Sequence, residues 1–114
     1  MEKIVERGLL FDIYGELLTT HQQNVYRELI ESDLSLAELS EEFGITRQGA
    51  HDLNKRCDAA LEDYEKKLGL MKKFLRMRNI VSETKILIEG QLENIPEDTC
   101  KQIKDLLGRL EKEI

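Results

Sequence analysis

The stretch that decides the fold is SLAELSEEFGITRQGAHDLNKR, residues 35–56. Gly44 interrupts it, and glycine most easily takes the left-handed backbone conformation of a tight turn. Ser40 is small enough to let two helices cross closely. Apolar side chains recur on both sides of the turn at the three- and four-residue spacing of a helix face. They are Leu36, Leu39, Phe43, Ile45, Ala50 and Leu53. The stretch therefore predicts a helix-turn-helix unit.

The second helix of this unit carries the residue types that read nucleic acid. In helix-turn-helix proteins, the N-terminal half of the second helix enters the major groove. Gln48 can bridge the N6 and N7 edge of adenine, Asp52 can accept from cytosine N4, and Arg47 can bind phosphate or guanine. The predicted nucleic-acid-binding residues are Thr46, Arg47, Gln48, His51, Asp52, Lys55 and Arg56.

An alternative use of the same unit is open at this point. Glu38, Glu41, Glu42 and Asp52 lie in or beside it, and phosphate repels carboxylates. A helix-turn-helix can also be a compact scaffold for protein contact. The sequence thus carries two hypotheses, a nucleic-acid-binding regulator and a protein-interaction module.

Charge is distributed unevenly along the chain. The 114 residues carry a formal net charge of −6. Residues 44–78 are nevertheless net +4, with nine basic and five acidic side chains. A local positive surface matters more for binding than the total. Six of these basic residues, from Lys66 to Arg78, form either a solvated helix face or a second contact strip for nucleic acid or an acidic partner.

The remainder of the chain also predicts helices, because good helix formers dominate and proline occurs once, at Pro96. Ser35, Thr46 and either Thr19 or Thr20 are predicted N-caps; Gln22 and Gln23 follow the two threonines at capping-box spacing. Val25, Leu29 and Ile30 are predicted to be buried with Tyr26 near the edge, and a first-helix stripe includes Ile4, Leu9 or Leu10, Ile13 and Leu17. The expected helices cover about 2–15, 20–31, 36–43, 47–78, 83–93 and 96–112.

The expected domains are a helix-turn-helix domain, 1–78, and a C-terminal helical arm, 79–114. The long helix from Arg47 is predicted to run to a joint at Asn79–Ser82, with a weak point at Gly69. Its apolar positions continue to Leu75, more than a small domain needs. We therefore expect a homodimer that packs through this apolar stripe of the long helix and through the C-terminal helices.

Several function classes find no support in the sequence. There is no apolar run of the ~20 residues that span a bilayer and no signal-peptide pattern, so we expect a cytoplasmic protein. Cys57 and Cys100 lack companion ligands at metal spacing and read as inert thiols. No catalytic constellation, phosphate loop, metal site or cofactor motif is visible, so we expect a protein that is not an enzyme.

The segment from Leu10 to about Leu75 resembles the YlxM family of small bacterial proteins. The resemblance is carried by GELLT, DLSLAELSEEFGITRQGAHDLNKR and LEDYEKKLGLMKKF. In the reading helix, His51 stands where relatives have tyrosine and Asn54 where they have an apolar residue, while Leu53 can take over the core role.

The resemblance implies an all-α helix-turn-helix bundle similar to region 4 of sigma factors. It further implies a role in the signal recognition particle pathway, because the family's gene usually neighbours those of the particle's GTPase and its receptor. The partners implied are DNA or the particle's RNA. The alternative partner is the GTPase itself, modulated without direct DNA binding.

Overall fold

The structure, a computed structural model, describes residues 1–32 and 34–114. Asp33, part of the predicted break after the second helix, lies outside the described residues. The described residues are helical and contain no strand, so the all-α prediction is confirmed. The helices are α1 Lys3–Tyr14, α2 Thr20–Glu31, α3 Leu36–Phe43, α4 Arg47–Leu68, α5 Leu70–Glu89 and α6 Glu97–Glu113, with short 3-10 turns at Gly15–Leu17 and Leu92–Asn94. Within this part of the chain, no helix is both long and apolar enough to cross a bilayer.

The predicted starts of α2 and α3 are confirmed by reciprocal caps. Thr19 Oγ1 accepts from the backbone N–H of Gln22 at 3.1 Å, and Gln22 Oε1 accepts from that of Thr19 at 3.0 Å. Ser35 and Glu38 make the same exchange at the start of α3. Each exchange satisfies two backbone donors that the first helical turn leaves unpaired. Local sequence therefore sets both helix starts.

The expectation of one long helix from Arg47 to a joint at Asn79–Ser82 is wrong. Gly69 has φ 64° and ends α4, while α5 runs without a break across 79–82. Tyr14 and Glu65 hold the start of α5, since Tyr14 Oη accepts from Leu70 N at 3.1 Å and Glu65 Oε1 from Met71 N at 2.8 Å. These acceptors satisfy the first amides of a new helix. The left-handed glycine therefore outweighs the continuous apolar spacing.

The chain divides into two compact units, residues 1–71 and 72–114. We call the first the head and the second the arm. The head contains α1 to α4, and the arm contains most of α5 with α6. The predicted domain division at residue 78 stays a prediction.

The core of the head lies where α2, α3 and α4 meet. Val25, Leu39 and Ala50 are fully buried, one from each helix. Half-buried apolar side chains surround them, including the remaining apolar positions of the predicted helix-turn-helix. They are Leu29, Leu34, Leu36, Phe43, Ile45 and Leu53. The apolar spacing thus predicted the packed faces of all three helices.

The packing of α1 differs from the predicted stripe. Leu10, Phe11 and Tyr14 are buried, whereas Ile4 and Leu17 are 50% and 57% exposed. Tyr26, expected near an edge, is fully buried and its ring lies 5.5 Å from that of Phe11. Aromatic rings bury more apolar area than aliphatic side chains. The face of α1 that carries Phe11 and Tyr14 therefore turns inward.

We expect Gly44→Ala and Gly8→Ala to have opposite effects on stability. Gly44 has φ 67°, where a side chain costs about 1–2 kcal/mol. Gly8 lies inside α1 with no atom within 4 Å of an added Cβ, so alanine there should stabilise by about 0.5–1 kcal/mol. Urea unfolding followed by circular dichroism measures both. A stabilised Gly44→Ala protein would contradict the structure of the turn.

Stability should fall in mildly alkaline solution. Burial, followed by the charge of Asp58, raises the pKa of the Cys57 thiol from 9.0 to about 11. The folded protein therefore holds this proton more tightly than the unfolded chain, so the contribution is complete below about pH 9 and lost as pH rises through about 11. Urea midpoints between pH 8 and pH 11 test this. Cys57→Ala should show a smaller decline, and an equal decline in both proteins would refute the assignment.

Candidate nucleic-acid interface

The turn between α3 and α4 has the geometry that the sequence predicted. Gly44 takes the left-handed conformation, and the carbonyl of Ser40 accepts from the backbone N–H of Ile45 at 3.0 Å. The Ser40 hydroxyl donates to the carbonyl of Ala37 at 2.8 Å, so it is satisfied within its own helix. A small, satisfied side chain at 40 leaves no unpaired donor at the crossing. The turn therefore directs the chain into the start of α4.

Thr46 caps the first turn of α4, as predicted. Its Oγ1 accepts from the backbone N–H of Gly49 at 2.9 Å. An added Cβ at Gly49 would lie 3.0 Å from that oxygen, so glycine leaves the cap undisturbed. The cap fixes the leading end of the helix on which the candidate residues lie.

The structure places the seven predicted residues together on the first three turns of α4 and its cap. Their backbone positions cluster, and most side chains face solvent. Arg47, Gln48, Asp52, Lys55 and Arg56 are exposed, as is Thr46, while His51 is half-buried. Three cations and one carboxylate therefore share this surface.

Two predicted base-reading side chains bond each other. Gln48 Nε2 donates to Asp52 Oδ1 at 3.0 Å, one helical turn apart. In this arrangement the Gln48 amide N–H serves Asp52, and the amide oxygen stays available as an acceptor. Sequence reasoning placed both residues correctly on the surface but did not foresee that they pair.

A cleft of about 400 Å³ runs beside this surface, between α4 and the start of α2. Arg56 and Asp52 line one side, and His21 lines the other. The positive end of the α2 dipole lies at this cleft and favours anions. Its lining residues are Thr19, His21, Gln22, Gly49, Asp52, Leu53 and Arg56. The sequence marked Thr19 and Gln22 as a cap, yet nothing in their spacing indicated that α4 packs beside them.

A polar junction on the opposite side of α4 fixes the helix to α1 and α2. Arg7 Nε donates to Asp58 Oδ1 at 2.9 Å and to Tyr26 Oη at 3.2 Å, and Arg7 Nη2 donates to Asn54 Oδ1. Tyr26 donates its hydroxyl proton to the same Asp58 oxygen. Burial, then the bond to Asp58, raises the pKa of Tyr26. We call Arg7, Tyr26, Asn54 and Asp58 the polar junction; it gives Asn54 a positioning role.

The carboxylates of α3 lie outside the core. Glu38 is exposed and occupied by the Ser35 cap, and Glu41 and Glu42 are exposed. Their negative charge flanks the cations of α4.

The amino-acid sequence matches a protein family that is described as having this kind of unit. Residues 1–106 match the family described as "UPF0122: Putative helix-turn-helix protein, YlxM / p13 like". The chain belongs to the UPF0122 family. UPF0122 proteins of Bacillus cereus (strain AH187), Bacillus anthracis (strain A0248) and Bacillus thuringiensis subsp. konkukian are each 38% identical over 111 residues.

These alignments cover 97% of this chain and 99% of each relative. The predicted resemblance to the YlxM family is thereby confirmed and extends through the arm, where sequence reasoning found little likeness. The head and the arm both belong to what the UPF0122 family shares.

Removing the cap of α4 should loosen the leading end of the candidate interface. We expect Thr46→Ala to destabilise the protein by about 1 kcal/mol, since the Gly49 amide loses its acceptor. Hydrogen exchange should quicken at Gly49 and less at Ala50, whose amide keeps its bond to the Thr46 carbonyl.

Thr20→Ala is the matched control, because Thr20 lies beside a cap but is the first residue of α2 rather than the cap itself. The same side-chain truncation there should leave Gly49 exchange unchanged. Unchanged exchange in Thr46→Ala as well would contradict the capping role.

Proposed function

We propose that this protein is a nucleic-acid-binding regulator that uses the start of α4 as its reading helix. The observation that carries the proposal is the exposed, capped end of α4, which presents Arg47, Lys55 and Arg56. Membership of a helix-turn-helix family supports the same use. The role is one of binding rather than catalysis, in the cytoplasm.

The contacts divide between phosphate and bases. Lys55 and Arg56 lie about two turns from the helix start and suit phosphate groups at the groove edge, while Arg47 reaches phosphate or guanine. His21, across the cleft from Arg56, adds a donor for the same backbone. The helix would thus be seated by cations on its flanks and read the groove with its outward face.

The outward face favours bases that present donors. Because Gln48 donates to Asp52, the two side chains offer the Gln48 carbonyl oxygen and the second Asp52 oxygen as acceptors. Adenine N6 and cytosine N4 are the donors of the major groove. We therefore propose a preference for adenine or cytosine opposite this pair.

The pathway proposed is that of the signal recognition particle. Its support is the resemblance to the YlxM family, whose genes usually neighbour those of the particle's GTPase and its receptor. The target is then either DNA that controls those genes or the particle's RNA. Both are polyanions that the same cations can bind.

Fluorescence anisotropy with labelled duplex DNA and particle RNA tests the proposal. We expect Arg47→Ala and Lys55→Ala to weaken binding to all sequences. Each should reduce the salt slope by about 0.9 for every phosphate that the protein no longer neutralises. Gln48→Ala should change base preference by about 1–3 kcal/mol at one position.

Lys101→Ala is the control for general charge loss. Lys101 is exposed on α6 and pairs with Glu97 at 3.7 Å, so its removal deletes one positive charge away from α4. An equal loss of affinity in Lys101→Ala would show non-specific attraction. Absence of binding to every duplex and to the RNA at low salt would end the proposal.

A protein-interaction role is the second candidate. It is favoured by the Gln48–Asp52 pair, which occupies part of the reading face, and by exposed Glu38, Glu41 and Glu42. In this role the head would bind the particle's GTPase and change its GTP turnover. Retention of the GTPase or its receptor on a column of this protein supports it, and retention of neither excludes it.

A further inference from the structure

The arm leaves six large apolar side chains in contact with solvent, of which Ile86 and Leu92 are 71% and 42% exposed. Ile80 and Leu87 of α5 are 61% and 69% exposed, and Leu106 and Leu110 of α6 are 58% and 40% exposed. Isolated exposed leucines are ordinary on protein surfaces, whereas a contiguous apolar patch marks a binding site. The side of the helix pair on which Ile80, Leu87, Leu106 and Leu110 lie therefore decides their meaning.

Ion pairs fix how α5 and α6 face each other. Lys104 Nζ lies 2.9 Å from Glu89, and Lys85 pairs with Glu111, so the helices run antiparallel with these side chains along one edge. Arg78 donates to the backbone carbonyl of Ile114 at 3.2 Å, which extends the same register.

The four apolar residues lie on the other edge of this helix pair. On α5, Val81 and Ile88 are buried; at 100° per residue, Lys85 and Glu89 lie to one side of them and Ile80 and Leu87 to the other. The same rotation on α6 places Lys104 and Glu111 on one side of buried Cys100, and Leu106 and Leu110 on the opposite side.

Because the ion pairs bring the polar sides of α5 and α6 together, their apolar sides also meet. We call Ile80, Leu87, Leu106 and Leu110 the arm face. All four residues of the arm face therefore lie on the same side of the helix pair.

Much of the apolar stripe that the sequence offered for a dimer is already buried within the head, although Leu68 is 58% exposed. Cys57, Leu61 and Met71 are buried there, with exposures of 0%, 0% and 8%. A second copy therefore cannot pack on those side chains without unfolding the head. The arm face is an apolar surface that remains available in its place.

The arm carries opposite charges at its two ends. From 72 to 82 the sequence has Lys72, Lys73, Arg76 and Arg78 and no acidic residue. From 86 to 100 it has Glu89, Glu93, Glu97 and Asp98 and no basic residue. The first segment is the base of the arm, and the second surrounds its tip, about 26 Å away along α5 at 1.5 Å per residue.

One cation of the base is unfavourably placed in α5. Lys73 lies in the first turn of α5, where the helix dipole is positive and favours acidic side chains. A negative partner opposite the base would compensate this repulsion. The acidic tip of a second arm supplies such a partner.

We propose that the arm face binds the arm face of a second copy of this chain, antiparallel about a two-fold axis. Each basic base then lies against the acidic tip of its partner, at both ends of the interface. A two-fold interface must be self-complementary, and one arm carries both halves of the charge pattern. A parallel pair would oppose base to base and tip to tip, so like charges exclude it. This pairing does not depend on nucleic-acid binding.

Light scattering at micromolar concentration, without nucleic acid, tests the association. We expect the wild-type mass to be twice the chain mass of 13.3 kDa. Leu87→Glu should give the single-chain mass, and Leu106→Glu should do the same from the other helix.

Ile86→Glu is the matched control. Ile86 is 71% exposed, close to the 69% of Leu87, but lies 100° further round α5 and outside the arm face. It should leave the doubled mass unchanged. Circular dichroism should show full helicity in all three variants, since each substitution replaces an exposed side chain.

Charge reversal tests the antiparallel arrangement. Lys73→Glu with Arg76→Glu reduces the net charge of residues 72–82 from +4 to zero, and Glu93→Lys with Asp98→Lys reduces that of residues 86–100 from −4 to zero. Each double variant alone should dissociate at least tenfold more readily than wild type, and an equimolar mixture of the two should form heterodimers more readily than either variant associates with itself.

Several outcomes would overturn the proposal. A wild-type mass near 13.3 kDa would show that another partner or none covers the arm face. A doubled mass in Leu87→Glu and Leu106→Glu would place the dimer contact elsewhere. Unchanged self-association in both charge-reversed variants would exclude the antiparallel pairing.

Discussion

The candidate interface depends on the ion pair between Arg7 of α1 and Asp58 of α4. With Tyr26 and Asn54, these residues join three helices through one arginine. Partly buried ion pairs contribute little net stability, because desolvation offsets most of the attraction. Removing one partner, however, leaves the other charge uncompensated, so the pair disfavours other orientations of α4. The polar junction thus specifies which face of α4 turns to solvent, and the apolar core supplies the stability.

The parts of this fold that were predictable from sequence are those set by neighbouring residues. The caps at Thr19, Ser35 and Thr46 and the left-handed Gly44 depend on contacts within four residues. The polar junction joins Arg7 and Asp58, which are 51 residues apart in the sequence, and no local sequence pattern predicts it. Gly69 was predicted to weaken the helix but not to end it, for a related reason, since the support for the break comes from Tyr14, 56 residues before Leu70. Glycine alone permits a helix end, and tertiary contacts decide whether it is used.

The candidate site shows the same division. Spacing placed the predicted residues of α4 on one exposed surface, because the buried positions Ala50 and Cys57 fix the rotation of the helix. It could not show that Gln48 and Asp52 bond each other, since side-chain conformation depends on choices beyond helical register. Nor could it place His21 across a cleft from Arg56, which requires the packing of α2 against α4. The position of a side chain on α4 follows from the helix, whereas the packing of α2 beside it is a property of the fold.

The separation of charge along the chain links the head and the arm. A protein of net charge −6 can bind a polyanion only if its cations are gathered apart from its carboxylates, and residues 44–78 gather them. The same segregation leaves the base of the arm positive and its tip negative, a pattern that two copies can satisfy mutually. A dimer would carry two reading helices, and the second would bind at the high effective concentration set by the first. Modest affinity of each head for nucleic acid would then suffice. Modest affinity is what we expect of a reading face on which the carboxylate of Asp52 lies among three cations. Charge segregation would therefore serve recognition in the head and association in the arm.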